Sequence, residues 1–198
     1  MHLHLRCRRQ RRKRYGSTNS RGQLVNRVSI EERPAIVETR SRIGDWELDT
    51  IIGKGHKQAL VSLTERKSRL TLLSKVKQKS ADLVARSVQN LLEPIASQVL
   101  TLTSDNGKEF AKHQEISSAL QADFYFTHPY SAWERGLNEN TNGLVRQYFP
   151  KKHDFTTITD NDVRIVMNKL NNRPRKCLGF KTPNEVFFGI KSTVALVT

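Results

Sequence analysis

Apolar and polar residues alternate along DWELDTIIG, residues 45 to 53, putting Trp46, Leu48 and Thr50 on one side and Asp45, Glu47 and Asp49 on the other. That period of two predicts a strand, and Gly53-Lys54-Gly55 marks its turn. QALVSLTE (58 to 65) and RLTLLSKV (69 to 76) are rich in strand-forming residues, and Arg66-Lys67-Ser68 joins them as a hairpin. The period then changes. From Ser80, an N-cap candidate, Leu83, Val84, Ser87, Val88, Leu91 and Leu92 recur at helical spacing until Pro94. QVLTLT (98 to 103) predicts a fourth strand closing on Asp105-Asn106-Gly107, and a weaker helical pattern spans 111 to 121. DFYFT (123 to 127) is a short aromatic strand. Leu137 to Tyr148 is a helix with Leu137, Leu144, Val145 and Tyr148 on one face.

The resulting order is β-β-β-α-β-α-β-α. Three meandering strands followed by alternating helices and strands predict an α/β fold, a ribonuclease-H-like mixed five-stranded sheet flanked by helices, because parallel additions need crossover helices. A further helix is expected near 160 to 171, through Val163, Val166, Met167 and Leu170. KTPNEVFFG supplies another start, with Thr182 as N-cap, Pro183 in the first turn and Glu185 closing a capping box. Ahead of the first strand, SIEERPAIVETRSR is interrupted by Pro34 and reads as a connector too polar to form core. The chain therefore divides into a basic arm and linker (1 to 40), a core with C-terminal helices (41 to 190) and a tail (191 to 198).

Charge adds a partner. The formal net charge is +15 and the pI about 10.2, which favours a polyanion, nucleic acid first, over a merely solubilising basic surface. Residues 1 to 22 contain no Asp or Glu but carry Arg6, Arg8, Arg9, Arg11, Arg12, Lys13, Arg14 and Arg21. Arg8, Arg9, Arg11, Arg12, Lys13 and Arg14 are expected to contact DNA phosphates, as blocks of like charge do. Cys7 and Cys177 are too few for a disulfide framework or zinc site, which predicts a reducing, cytoplasmic setting. No apolar run long enough to span a membrane exists, and MHLHLRCRRQRRKR has no apolar segment of a secretory signal.

Three acids fall at the ends of predicted elements: Asp49 on the first strand, Asp105 after the fourth, and Glu139 in the first turn of the 137 to 148 helix. In a mixed sheet of this order the first and fourth strands are neighbours, so Asp49 and Asp105 are expected to face one another. Converging carboxylates repel unless a cation neutralises them, and oxygen-only ligands suit Mg²⁺ or Mn²⁺. Two such ions, roughly 3.5 to 4 Å apart, serve phosphodiester cleavage or transfer. Each acid also has an ordinary reading. Asp105 before Asn106-Gly107 is a turn, Asp45 and Glu47 share the strand face of Asp49, and Glu139 is a favourable helix-start acid. Arg135, Asn142 and Arg146 are candidate DNA contacts beside Glu139; Trp133 stacks on a base or, more ordinarily, braces its loop. Glu134 reads as a surface or DNA-proximal charge.

Five blocks, RGQLVNRVSIEERP, RIGDWELDTIIG, LTSDNGKEF, HPYSAWERGLNENTNGLVRQYFPK and LNNRPRKCLGFKTPNEVF, together resemble the catalytic core of DDE transposases of bacterial insertion sequences. The resemblance is to the insertion-sequence-thirty type, within the retroviral-integrase-like superfamily. Asp105 and Glu139 are separated by 33 residues, as in the family's DD(33)E spacing. The resemblance implies a metal-binding triad of Asp49, Asp105 and Glu139 holding two Mg²⁺ or Mn²⁺ ions. It also implies strand cleavage and transfer on element ends and target DNA, a homo-oligomer or a mixed oligomer with full-length transposase, and a nucleoid-associated bacterial location. In two respects the sequence departs from the family. WEGD is usual where Leu48 stands, and the helix-turn-helix region expected ahead of the arm is not found, so the chain reads as a truncated copy. A remnant that binds DNA without cutting it is the alternative, and general ribonuclease H activity a third.

Overall fold

The computed structural model describes residues 24 to 56, 58 to 129 and 131 to 190; the basic arm and its candidate phosphate contacts lie outside the described residues, as does the tail. A short helix, α1 (Ile36–Thr39), leads into β1 (Asp45–Ile52), β2 (Ala59–Glu65) and β3 (Thr71–Val76). Then follow α2 (Ala81–Leu92), β4 (Thr101–Ser104), α3 (His113–Leu120), β5 (Asp123–Phe126), α4 (Gly136–Val145), α5 (Asp160–Asn171) and α6 (Pro183–Phe188). The five strands form one sheet in the order β3-β2-β1-β4-β5. The first three are antiparallel, and β4 and β5 add parallel to β1 and to each other. This is the predicted order, with β1 at the centre.

Alternation along the strands sends side chains to two cores. Trp46, Leu48, Val61, Leu63 and Leu102 meet Val84 and Val88 of α2 and Ile116 of α3 on one face. Phe187 of α6 covers this layer, its ring edge-on to Trp46 at 5.8 Å. On the other face Ile51, Leu60 and Leu73 pack against Val145 and the α5 residues Val163, Val166 and Leu170. Ser80, Thr159 and Thr182 cap α2, α5 and α6, the last through the expected capping box with Glu185.

Three local expectations change. The fourth strand begins at Thr101, not at Gln98, because the chain beyond Pro94 coils through a 3-10 segment, Glu93–Gln98, before it extends. Helix α4 ends at Val145, and tighter bonds such as Gln147 N to Leu144 O continue the turn towards Pro150. The connector is not excluded from the core. Val37 is fully buried, and the Phe126 amide of β5 donates to Val28 O at 2.9 Å, so residue 28 lines the sheet edge. Its one buried charge, Arg33, is paired. Arg33 donates to Thr103 Oγ1 at 2.9 Å and pairs with Glu38, whose other oxygen accepts from Arg66 at 3.0 Å.

Candidate active site

Strand β1 presents three acids on one face, and their neighbours give them different tasks. Asp45 receives Arg42 through two bonds, 3.0 and 2.9 Å, and Thr101 Oγ1 at 2.8 Å. Glu47, completely buried, accepts Arg66 Nη1 at 2.6 Å and the backbone amide of Asn138 at 3.0 Å. One carboxylate thus joins the central strand to the first turn of α4 and satisfies one of that turn's free amides. Burial pushes the Glu47 carboxyl up from its ordinary range, against Arg66 and the Asn138 amide. Both acids are fully engaged. Of the three, only Asp49 keeps a partly exposed side chain.

Asp49 and Asp105 are brought together by register. Because Glu47 pairs with Thr103 in the parallel β1–β4 ladder, two further residues along each chain set Asp49 beside Asp105. Asp105 uses both of its carboxylate oxygens. Its Oδ1 accepts the Gly107 amide at 2.9 Å, a turn bond, while Oδ2 accepts Arg135 Nη2 at 3.1 Å. Arg135 Nη1 donates to Leu48 O at 2.9 Å and lies 3.7 Å from Asp49 Oδ2. A guanidinium therefore stands between the two carboxylates. Asp49 Oδ2 also accepts Asn142 Nδ2 at 2.8 Å. Burial raises the Asp49 carboxyl, with Arg135 pulling the other way and Asp105 adding to the rise.

Glu139 does not join them. It lies in the first turn of α4 but is exposed, and among the described residues no three His, Cys, Asp or Glu side chains sit close enough to hold a metal ion. The candidate DNA contacts on this helix bind the protein itself: Arg135 and Asn142 hold the aspartates, and Arg146 Nη2 donates to Ile52 O at 2.8 Å. Trp133 is 75% exposed, so it does not brace the loop.

Two supports escaped the sequence reading. Glu109, nearly buried, accepts Thr50 Oγ1 at 3.1 Å and pairs with Lys79 at 2.6 Å, tying the Asp105-Asn106-Gly107 turn to the strand of Asp49. Its carboxylate lies so close to Gly107 that a Cβ there would come within 2.3 Å. Glu134 is not a free surface charge. It accepts the His128 amide at 2.8 Å and His128 Nδ1 at 2.7 Å, closing the loop beside a cleft of about 370 Å³ lined by Asp105, Asn106, His128 and Arg135. The only sequence signal for either is the acid's place inside a motif block, which does not say what it touches. Leu48, where the family pattern has Gly, is fully buried in the core on the face opposite Asp49.

The integrase core domain family matches residues 40 to 132. The chain is 49% identical over 188 residues to the transposase for insertion sequence element IS4351 of Bacteroides fragilis, covering 94% of this chain and 58% of that protein. It is 39% identical over 164 residues to transposase InsI for insertion sequence element IS30A of Escherichia coli K12, covering 82% of this chain and 43% of that protein. The chain spans about half the length of these curated relatives. The HTLV-2 integrase catalytic core domain, solved in complex with magnesium, superposes with a TM-score of 0.58 at 20% identity, over 74% of this chain and 97% of that one. At that identity the likeness concerns the ribonuclease-H-like fold. Residues 40 to 132 thus match the integrase core domain, and the chain is a homologue of insertion-sequence transposases, the IS30 type among them.

Proposed function

We propose that this chain is the catalytic core of a transposase, cutting DNA strands at the ends of an insertion sequence and joining the freed 3′-hydroxyl to target DNA. The observation that carries the reading is the pair Asp49 and Asp105, held by the β1–β4 register on either side of a cation within an integrase core. A pair of carboxylates already arranged around the positive charge of Arg135 suits a divalent cation, and oxygen donors suit Mg²⁺ or Mn²⁺. Asp49 and Asp105 would hold it, with Glu139 as the third ligand from α4 and a second ion shared among these acids. When bound, such ions activate the attacking oxygen and stabilise the leaving oxygen of a phosphodiester.

The remaining residues position this pair. Asn142 orients the Asp49 carboxylate, Glu109 holds the turn that carries Asp105, and Glu47 fixes the start of α4, from which Glu139 projects. Arg135 offsets part of the aspartates' charge, and displaced from them it becomes a hydrogen-bond donor to phosphate, as does Arg146 at the end of the same helix. The arm from Arg8 to Arg14 adds phosphate contacts without reading sequence. A homo-oligomer, or a mixed oligomer with a longer transposase, would bring two DNA ends together. A cytoplasmic, nucleoid-associated location accords with this role.

The outward Glu139 and the Arg135 bridge favour a second reading, a chain that binds DNA or full-length transposase without cutting. Incubation of supercoiled plasmid with Mg²⁺ separates the two. Metal-dependent nicking that disappears in Asp105→Asn supports the enzyme; a gel shift with no nicking by the parent chain supports the second reading.

A further inference from the structure

Helix α4 has a second face. The Asn138 backbone amide and the Asn142 side chain donate to acids of β1, whereas Leu137, Asn140, Thr141 and Leu144 line a cavity of about 440 Å³ on another side of the helix. The rest of its wall includes Arg40, Arg69, Arg175 and Cys177, and no Asp or Glu takes part. None of the three arginines forms an ion pair among the described residues. Like charges gathered on one wall repel, and burial sharpens the cost; Glu47, whose charge reaches Arg40 and Arg69, is itself bonded to Arg66. Arg69 and Arg175 are both half-buried, and burial followed by repulsion from neighbouring arginines pulls the pKa of each down.

Two details indicate that these side chains are placed and not incidental. Arg69 sits at φ 64°, in the left-handed region where a hairpin favours Gly or Asn, so the turn carries a guanidinium at a position whose backbone favours neither arginine nor any other long side chain. Arg175 is anchored by Nη2 to Leu170 O at 3.1 Å, while its buried Nε has no partner among the described residues. Arginine forks bind phosphate oxygens through paired N–H groups, and Asn140 and Thr141 add neutral donors. The volume falls within the roughly 300 to 1,000 Å³ typical of small-ligand sites, enough for a nucleotide unit.

We propose that Arg40, Arg69 and Arg175, with Asn140 and Thr141, form a phosphate-binding pocket on the side of α4 away from Asp49. Its occupant is a phosphate group, either a backbone phosphate of bound DNA or a free phosphate ion. This site needs neither metal nor strand cleavage, so it stands or falls apart from the proposed reaction.

The test uses the full chain carrying Asp105→Asn. One arm measures duplex-DNA affinity by fluorescence anisotropy across a salt series; the other measures thermal stabilisation by inorganic phosphate against the same ionic strength of chloride. Each neutralised phosphate contributes about 0.9 to the slope of log K against log salt. Arg69→Gln with Arg175→Gln should flatten the slope by about 1.8 if both meet DNA phosphates. Arg40→Gln, at an exposed position, gives a flattening of about 0.9 with little risk to folding. Arg164→Gln, on exposed α5 surface, is the control and leaves the slope unchanged. A flattened slope assigns the pocket to DNA; an unchanged slope with lost phosphate stabilisation assigns it to free phosphate. If the Arg40→Gln and paired variants that fold alter neither, the pocket does not bind phosphate and the proposal is wrong.

Discussion

Arg135 donates to Asp105 Oδ2 at 3.1 Å from one guanidinium nitrogen while the other lies 3.7 Å from Asp49 Oδ2, so one positive charge is shared by both aspartates. The same nitrogens would compete with any cation bound there. Replacing Arg135 with Gln leaves two carboxylates facing each other. The Asp105 side chain is 38% exposed, so solvent softens the repulsion and the expected loss of stability is about 1 kcal/mol. Thermal unfolding with and without Mn²⁺ checks this. Arg135→Gln should melt below the parent without metal and gain more than the parent when Mn²⁺ is added.

Glu47→Gln keeps the shape of the side chain but strands Arg66 in the core. Breaking one side of a buried ion pair costs about 3 to 5 kcal/mol, and the Arg66–Glu38 contact offsets part of it. Urea denaturation should show an unfolding free energy reduced by an amount of that order. Hydrogen exchange should show faster exchange at Asn138, whose amide loses a charged acceptor.

Gly107→Ala places a methyl group where the Glu109 carboxylate lies. The carboxylate must leave Thr50 and Lys79, or the turn carrying Asp105 must move. Overpacking of this kind costs about 1 to 3 kcal/mol. Plasmid nicking should fall further than stability does, which parallel melting and nicking measurements would reveal.

Leu48→Gly, the substitution that matches the usual family pattern, should not be benign. Leu48 is fully buried beside Trp46 and Leu63, so its removal leaves a cavity and adds backbone freedom, about 3 to 5 kcal/mol together. Leu48→Ala should lose somewhat less, and differential scanning calorimetry of the two variants ranks them.

His128 supplies a pH dependence. Its bond to Glu134 is the main cause of a pKa above the usual histidine value, with Glu31 adding to it at 3.2 Å. Protonated, both ring nitrogens donate to carboxylates; neutral, only one can. A raised folded-state pKa means the stabilisation is complete below the unfolded value, near 6.5, and is lost as pH rises through the higher folded value. An NMR titration should find the His128 midpoint above 6.5 and, in Glu134→Gln, moved down towards it.

Much of the fold was legible because periodicity is local. The switch from alternation in DWELDTII to helical spacing in ADLVARSVQNLL, and the caps Ser80, Thr159 and Thr182, depend on neighbours a few residues away. Element order then constrained the sheet, since β4 and β5 need crossover helices to lie parallel to β1. The pairing of Asp49 with Asp105 followed from that order.

Which acid does what was not legible, because Asp45, Glu47 and Asp49 share one strand face and have the same local pattern. Tertiary structure separated them by their distant partners: Arg42 and Thr101 for Asp45, Arg66 and Asn138 for Glu47, Arg135 and Asn142 for Asp49. The burial of the polar connector and the outward course of Glu139 are decisions of the same kind. A sequence fixes the period of its elements through short-range sterics and hydrogen bonding. The partner of a charge depends on which surfaces meet across the chain, and only the folded packing decides that.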